Sequence, residues 1–326
     1  MILVTGGTGF IGSNIVHALA CRGRRVAVCD RHLTDARAAN VAGVEIAEKV
    51  PAEQVVAWLA GRGDVSAVIH MGAISTTTET DVDLVLRTNV WLSLELLDLC
   101  TELAIPFLYA SSAQVYGDGS AGFADEETQQ AMARLSAITP YGASKLLFDR
   151  LVVRERELGR RLPPQWAGLR FFNVYGPRED HKGEMRSVIA KAFPALARGD
   201  PMRLFRSERP DYGDGGQKRD FVHVADCAEV VLWLLDHPQV SGIFNLGSGE
   251  ARSWNDLAHA VFAALGRPPA IEYVDMPPDL KGRYQYFTQA DMGKLRRVGY
   301  ERRFTGLEAG VADYVGAYLS KGAAAR

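Results

Sequence analysis

Tyr141 and Lys145 stand four residues apart in a stretch, 141–157, that reads as a helix, so their side chains share one face. A free phenol has a pKa of about 10. A neighbouring ammonium favours the phenolate, and a phenolate can take the proton from an alcohol. Ser112 ends the predicted strand before that helix, where its hydroxyl can hold the reacting oxygen. Alone, each of these is ordinary: tyrosine four before lysine is common by chance, and a serine at a strand end more so. The set becomes specific if the chain also offers an acceptor for hydrogen leaving carbon.

The first dozen residues offer one. Ile2-Leu3-Val4-Thr5 reads as a short buried strand, Gly6-Gly7-Thr8-Gly9-Phe10-Ile11-Gly12 follows, and Ser13 to Arg22 carries a helical pattern. Gly7, Gly9 and Gly12 have the spacing of a dinucleotide fingerprint. One glycine permits the turn, one lets backbone approach a pyrophosphate, and one lets helix pack on strand. The pyrophosphate then rests on the N–H-rich helix start. The competing reading is a glycine-rich turn with no ligand; the strand before and the helix after argue against it. Asp30 closes a second strand, 25–29, at the distance where an acidic residue meets the adenosine ribose, which favours the free 2′-hydroxyl of NAD. Arg31 and Arg37 follow, and their planar forks suit the 2′-phosphate of NADP; the plain alternative is two solvated surface arginines.

Composition bounds the rest. The chain has 326 residues, 47% hydrophobic and 23% charged, with net charge −2. That is ordinary for a globular enzyme. It carries no basic excess that would suit nucleic acid and no apolar run of membrane-spanning length. It enters a strand at once, with no signal peptide expected. The four cysteines, at 21, 29, 100 and 227, have neither metal-ligand nor C-x-x-C spacing, so a reduced, cytoplasmic setting is expected and no metal.

Strand and helix alternate through the first half. Val65–His70 is a strand, and Met71-Gly72-Ala73 is an exit from it small enough for a cofactor to lie against the backbone. The pattern from Asp81 to Leu103 is one long amphipathic helix containing Asn89. Residues 168–172 are another strand. From Asn173 the pattern turns irregular, with loops at 177–183 and 208–216. Helices are expected near 185–198, 225–235 and 255–265, and strands at 221–224 and 243–246. The expected fold is α/β: a doubly wound parallel (Rossmann) sheet over 1–172, with returning segments near 220–248. A smaller, interleaved α/β substrate-binding lobe covers 173–320, and a frayed tail 321–326.

These pieces together resemble the extended short-chain dehydrogenase/reductase superfamily. The resemblance is carried by Thr5-Gly6-Gly7-Thr8-Gly9-Phe10-Ile11-Gly12, by Ser111-Ser112-Ala113-Gln114-Val115-Tyr116-Gly117, by Tyr141-Gly142-Ala143-Ser144-Lys145 and by Arg219-Asp220-Phe221-Val222-His223-Val224. It implies an enzyme acting on nucleotide sugars with bound NAD or NADP. Within that superfamily the run from Arg170 to Gly183, with His181-Lys182-Gly183, is similar to the ADP-L-glycero-D-manno-heptose 6-epimerase family. So are 106–112, 241–247, Leu280-Lys281-Gly282-Arg283-Tyr284-Gln285 and 287–291. This narrower resemblance implies that the C6 hydroxyl of an ADP-linked heptose is oxidised to a transient ketone on tightly held NADP. The ketone turns in the site and the same hydride returns to its other face. Two faces need two proton-handling groups: Tyr141 serves one, and the family assigns the other to the lysine matching Lys182. A lysine can act as base only if its pKa falls; its plainer role is a phosphate contact. His181 can shuttle protons or merely steady its loop.

The resemblance also implies contacts one by one. Backbone at Gly6, Gly9, Phe10, Ile11 and Gly12 meets the pyrophosphate; Asp30, Arg31 and Arg37 border the adenosine. Met71, Gly72, Ala73, Ile74 and Ser75 line the cofactor, Asn89 reaches it from the long helix, and Lys145, Val174 and Lys182 meet its nicotinamide half. Ser112 and Asn173 touch the sugar. Glu184, Lys191, Phe205, Arg206, Ser207 and Glu208 match substrate-binding positions, as do Arg219 and Tyr284. Arg219 suits a diphosphate, whereas Phe205 and Tyr284 are equally at home as core aromatics. The sequence departs from the family at Met71, where an acidic residue is common, after Asp30, at Glu184, where a small residue is frequent, and at Lys191, where histidine is. A UDP-hexose 4-epimerase shares the Ser-Tyr-Lys set, but the His181-Lys182-Gly183 segment argues against it. A 4,6-dehydratase needs an acid and a base where Ala113-Gln114 stand. A reductase exchanging its cofactor stays open, and a cofactor-sensing dead enzyme would be expected to have lost Tyr141 or Lys145. A homo-oligomer is expected from the family alone.

Overall fold

Residues 1–76, 79–278, 280–281 and 284–322 are described in this computed structural model. Gly282, Arg283 and residues 323–326 of the expected tail lie outside them. The described residues form twelve strands: β1 (Ile2–Thr5), β2 (Val26–Asp30), β3 (Glu48–Pro51), β4 (Ala67–His70), β5 (Phe107–Ser112), β6 (Trp166–Phe171), β7 (Asn173–Tyr175), β8 (Met202–Phe205), β9 (Lys218–His223), β10 (Gly242–Leu246), β11 (Ala251–Ser253) and β12 (Ile271–Val274). Seven pair in parallel in the order β10-β6-β5-β4-β1-β2-β3. This is the expected doubly wound sheet. Its strands are apolar because helices cover both faces: every residue of β1, β4, β6 and β10 is buried.

The chain order reverses between β1 and β4, and ligands in such sheets bind outside the carboxyl ends of the strands at that crevice. Thr5, His70 and Ser112 are the last residues of β1, β4 and β5 and therefore point the chain into it. Two smaller sheets stand apart: β11-β9-β7, with β9 antiparallel to β11 and parallel to β7, and the parallel pair β12-β8. The core is correspondingly double. One cluster surrounds the large sheet, and a second gathers Tyr175, Met202, Leu204, Phe221, Leu257, Phe262, Val311 and Tyr314. β10 belongs to the large sheet and β9 to a small one, so the segment 218–246 links the two regions.

Several boundaries differ from the sequence reading for identifiable reasons. The first helix is Phe10–Cys21, not 13–22, because Gly9 in an extended conformation already serves as its N-cap. The expected single helix 81–103 is continuous but carries a π turn at Arg87–Trp91 between α-helical pieces Val82–Leu86 and Leu92–Glu102; an inserted residue of this kind leaves no mark in apolar periodicity. A 3₁₀ turn, Asp180–Met185, begins within the expected loop 177–183, is broken at Gly183 and delays the following helix to Val188–Arg198. β3, β8, β11 and β12 are three- or four-residue strands, too short to show alternation. No described helix is long and apolar enough to cross a membrane. No described group of three or more His, Cys, Asp or Glu could hold a metal ion.

Candidate active site

The fingerprint turn is built for close backbone approach. Gly9 N–H donates to the Gly6 carbonyl (3.0 Å), and a Cβ on Gly12 would lie 2.1 Å from that same oxygen. Gly6 has φ of 64°, and a Cβ there would meet the Gly72 backbone at 2.6 Å, so β1 and β4 exit side by side. The Thr8 hydroxyl is buried with no partner. The turn thus keeps side-chain bulk away from its backbone, as the close approach of a dinucleotide pyrophosphate would require. At the end of β2, Asp30 accepts hydrogen bonds from Thr8 N (3.1 Å) and His32 N (3.2 Å), and Arg31 donates to Thr88 Oγ1 (3.2 Å). Arg37 is half-buried near His181, on which its charge acts.

Behind this turn, one hydrogen-bond chain runs under the crevice floor. Burial and the charge of Lys145 hold the His70 imidazole down at about 3, so the ring is neutral. Ser93 Oγ donates to the Asn89 carbonyl (2.8 Å) and so accepts from His70 Nε2 (2.9 Å); Nδ1 then accepts from Thr5 Oγ1 (2.7 Å), which itself accepts from Gly72 N (3.1 Å). Asn89, fully buried in the π turn, accepts from Ile74 N (2.8 Å) and donates to the Ile74 carbonyl (2.9 Å) and Ser144 Oγ (3.0 Å). Ser144 donates to the Tyr141 carbonyl (2.7 Å). One asparagine therefore joins the strand exit 71–75 to the helix Pro140–Glu157.

Thr139 caps that helix through Gly142 N (3.0 Å), with Pro140 in its first turn. Tyr141 is hydrogen-bonded to Ser112, which accepts from Gln114 N (3.2 Å). Burial raises the phenol above its ordinary value, and the Ser112 bond offsets part of the rise, so the phenol is protonated at neutral pH. Burial lowers the Lys145 amine to about 8, against the opposing pull of Asp149 one turn on. Asp149 is held by Arg170 Nε (3.0 Å), Ser111 Oγ (2.9 Å) and the Tyr109 hydroxyl (3.1 Å), and Arg170 also donates to the Tyr116 hydroxyl (2.9 Å). Both members of this ion pair are wholly buried. The sequence reading named Arg170 only inside a motif and missed Asp149. Its spacing of four from Lys145 was the available signal.

Lys182 sits at the fingerprint end, its amine 5.3 Å from the centre of the Phe10 ring and lowered by burial. It makes no hydrogen bond or ion pair with Tyr141 or Ser112. Val174 is half-buried in β7 next to exposed Asn173, both following β6 at the crevice. His181 pairs through Nδ1 with Asn40 (3.0 Å), which donates to the Thr8 carbonyl (2.9 Å): the loop-steadying geometry, made directly on the fingerprint.

The remaining sequence-predicted positions gather in the second region. A cleft of about 690 Å³ is lined by Val188, Lys191, Met202, Phe205, Trp254 and Tyr284 among others. Beside it the Arg219 guanidinium, 6% exposed, lies over Tyr284 (5.0 Å) and Trp254 (5.7 Å). It has no ion-pair partner among the described residues, an arrangement that suits an incoming anion. Trp254 was not foreseen; an aromatic at a helix start carries no signal of its own. Arg206 and Glu208 point to the rim, paired with Asp275 (3.0 Å) and with Lys281. Ser207 N donates to Asp214 (2.9 Å), and exposed Glu184 accepts from Lys191 Nζ through its carbonyl (3.2 Å).

A dinucleotide turn at the switch point, a Ser112–Tyr141–Lys145 set beside it and a cationic aromatic cleft beyond define a nicotinamide-dependent sugar-nucleotide enzyme class. The chain belongs to the NAD dependent epimerase/dehydratase family, whose model matches residues 2–247. Among curated proteins it is 49% identical over 98% of both chains to the ADP-L-glycero-D-manno-heptose-6-epimerase of Nitratidesulfovibrio vulgaris, strain Hildenborough. It is 45% identical over 97% of both to that of Alkalilimnicola ehrlichii. Among solved structures it is similar to the Helicobacter pylori ADP-L-glycero-D-manno-heptose-6-epimerase (TM-score 0.79, 28% identity, 97% of this chain and 95% of that one). It is also similar to the Thermus thermophilus UDP-glucose 4-epimerase in complex with NAD (TM-score 0.76, 29% identity, 99% of each).

Proposed function

We propose that this protein is an isomerase that interconverts ADP-D-glycero-D-manno-heptose and ADP-L-glycero-D-manno-heptose by inverting C6, with NADP held throughout. The observation that carries the reading is full-length likeness at 49% and 45% to proteins of that name. Likeness to solved structures does not separate a heptose epimerase from a UDP-hexose epimerase, since the two stand at 28% and 29%.

When bound, the nicotinamide supplies a hydride acceptor, then a donor, and in its oxidised state a positive charge that favours the Tyr141 phenolate. Ser112 holds the reacting hydroxyl, and Tyr141 takes its proton. Lys145 positions the ribose and steadies the phenolate. In the turned orientation Lys182 handles the proton, and its half-buried, lowered amine fits that task. Arg219 holds the diphosphate, with Lys191, Phe205 and Tyr284 around the nucleotide; Asn173 touches the sugar. Arg31 and Arg37 favour a 2′-phosphate; the runner-up, NAD, is favoured by the Asp30 carboxylate at the ribose position. The setting is cytoplasmic and the protein a homo-oligomer.

Two measurements test this. Mass spectrometry of cofactor released from the denatured, as-purified protein should find NADP; NAD there overturns the cofactor assignment. Turnover of either ADP-heptose should give the other, with no isotope exchanged from solvent into C6, and Lys182→Ala should reduce it about a hundredfold. Inversion of a UDP-hexose at C4 but not of the heptose overturns the substrate.

A further inference from the structure

The turn that carries Lys182 is held from several sides. Arg178 has φ of 73°, a conformation a non-glycine residue keeps only under constraint. Asn14 of the fingerprint helix supplies one: it accepts from Arg178 Nη1 (2.8 Å) and donates to the Pro177 carbonyl (3.0 Å). Glu179 comes next and is fully buried. Its carboxylate accepts hydrogen bonds from Ser187 N (2.5 Å), Ser187 Oγ (2.6 Å) and the Tyr314 hydroxyl (2.9 Å), and its carbonyl accepts from Lys182 N (3.0 Å). Tyr314, also fully buried, begins the last helical turn, Tyr314–Leu319, and Tyr318 donates to Asp180 Oδ2 (2.7 Å).

Three uncharged donors satisfy the Glu179 oxygens without neutralising them, and burying such a charge is costly. The Lys182 amine makes no direct ion pair with this carboxylate; burial pushes the amine down and the charge of Glu179, acting through space, pulls it up. Around this pair stand the Phe10 ring, and, beside His181, the charges of Arg37, Asp30 and Asp180. Ser187 also caps the helix Val188–Arg198, which carries Lys191 into the cleft wall. We propose that Glu179, clamped by Tyr314, is a positioning residue for Lys182: it locks the turn that carries the lysine and keeps a negative charge within electrostatic reach of the amine, so that the C-terminal helix governs the second proton-handling group. This rests on the role given to Lys182 above.

The test is an NMR titration of the NADP-loaded enzyme with lysine labelled at Cε, the Lys182 signal being identified by its loss in Lys182→Met. Glu179→Gln should move the Lys182 midpoint to lower pH by about one unit and cut kcat about ten- to a hundredfold, with KM changed less than about twofold. Glu179→Asp, which keeps the charge, should recover the midpoint. Tyr314→Phe removes a single hydroxyl, so it keeps the question answerable if Glu179→Gln fails to fold; it should lower kcat about tenfold. An unmoved midpoint in Glu179→Gln, or wild-type kcat in Tyr314→Phe, overturns the proposal. Undiminished turnover in Lys182→Met instead overturns the role of Lys182 itself.

Discussion

The helix Pro140–Glu157 and the turn 177–187 each bring a lysine to the same crevice, Lys145 buried and Lys182 half-buried, and they do it by opposite means. On the helix, Tyr141, Lys145 and Asp149 share a face because the backbone repeats every three to four residues. Local caps suffice to start it. On the turn, Lys182 has no such repeat. Its partners come from far away: Asn14 lies 164 positions from Arg178, Asn40 lies 141 from His181, and Tyr314 lies 135 from Glu179. Each lysine has a buried carboxylate nearby, Asp149 at i+4 and Glu179 at i−3. Asp149 is itself neutralised by Arg170, whereas Glu179 is held by hydroxyls and one amide. The helix thus sets the spacing of its functional side chains by itself and borrows only their partners from the fold, whereas the turn owes even its conformation to the fold around it.

The largest effect should come from breaking the helix's chemistry. Tyr141→Phe removes the proposed proton acceptor and should lower turnover about 10³–10⁴-fold while cofactor stays bound, as steady-state rates and mass spectrometry of the released cofactor would report. A near-native rate would return Tyr141 to a packing role. Next, Asp149→Asn leaves Arg170 as an uncompensated buried charge and should cost about 3–5 kcal/mol in denaturant unfolding. Replacing both Asp149 and Arg170 by apolar residues should cost less than either half alone.

Lys145 sharpens the same comparison through pH. Its amine is held at about 8 in the folded protein against an ordinary 10.5. Between those values the unfolded chain binds the extra proton, so the stability penalty is complete below about pH 8 and fades as pH rises toward 10.5. In Lys145→Met, the alkaline rise in melting temperature attributable to this group should disappear relative to wild type. A smaller effect is expected at the turn. Asn14→Ala should cost about 1–2 kcal/mol and speed amide exchange over 178–187 without changing 141–157; equal protection in both would mean the turn stands by itself. Smallest of all, Arg206→Ala removes a rim ion pair with exposed Asp275 and should shift stability by about 0.5 kcal/mol or less. Any effect of that change should appear in KM.

How far each part was legible follows from the same contrast. The fingerprint, the Tyr141 helix and six of the seven parallel strands announce themselves through local spacing and apolar runs, and their boundaries fall within a few residues of those expected; the edge strand β3 does not, being four residues long and only partly buried. The π turn at Asn89 does not, because one extra residue leaves the amphipathic pattern almost unchanged. Trp254, Asp149, Glu179 and Tyr314 look like ordinary residues of their elements until the chain brings their partners to them. Lys182 was singled out by a resemblance over its neighbours, and its seat over Phe10 could not be read from spacing.

The order of residues alone settled what depends on neighbours along the chain: a strand, a glycine turn and a helix start, and a tyrosine and lysine one turn apart. Those are short-range consequences of backbone sterics and helical repeat. The tertiary fold decided which distant polar groups meet in the dry interior: Asp149 with Arg170, His70 with Thr5 and Ser93, Glu179 with Tyr314. Burial makes every unpaired charge or hydroxyl costly, so partners brought together by folding, however far apart in the chain, set the protonation and the position of the groups at the crevice.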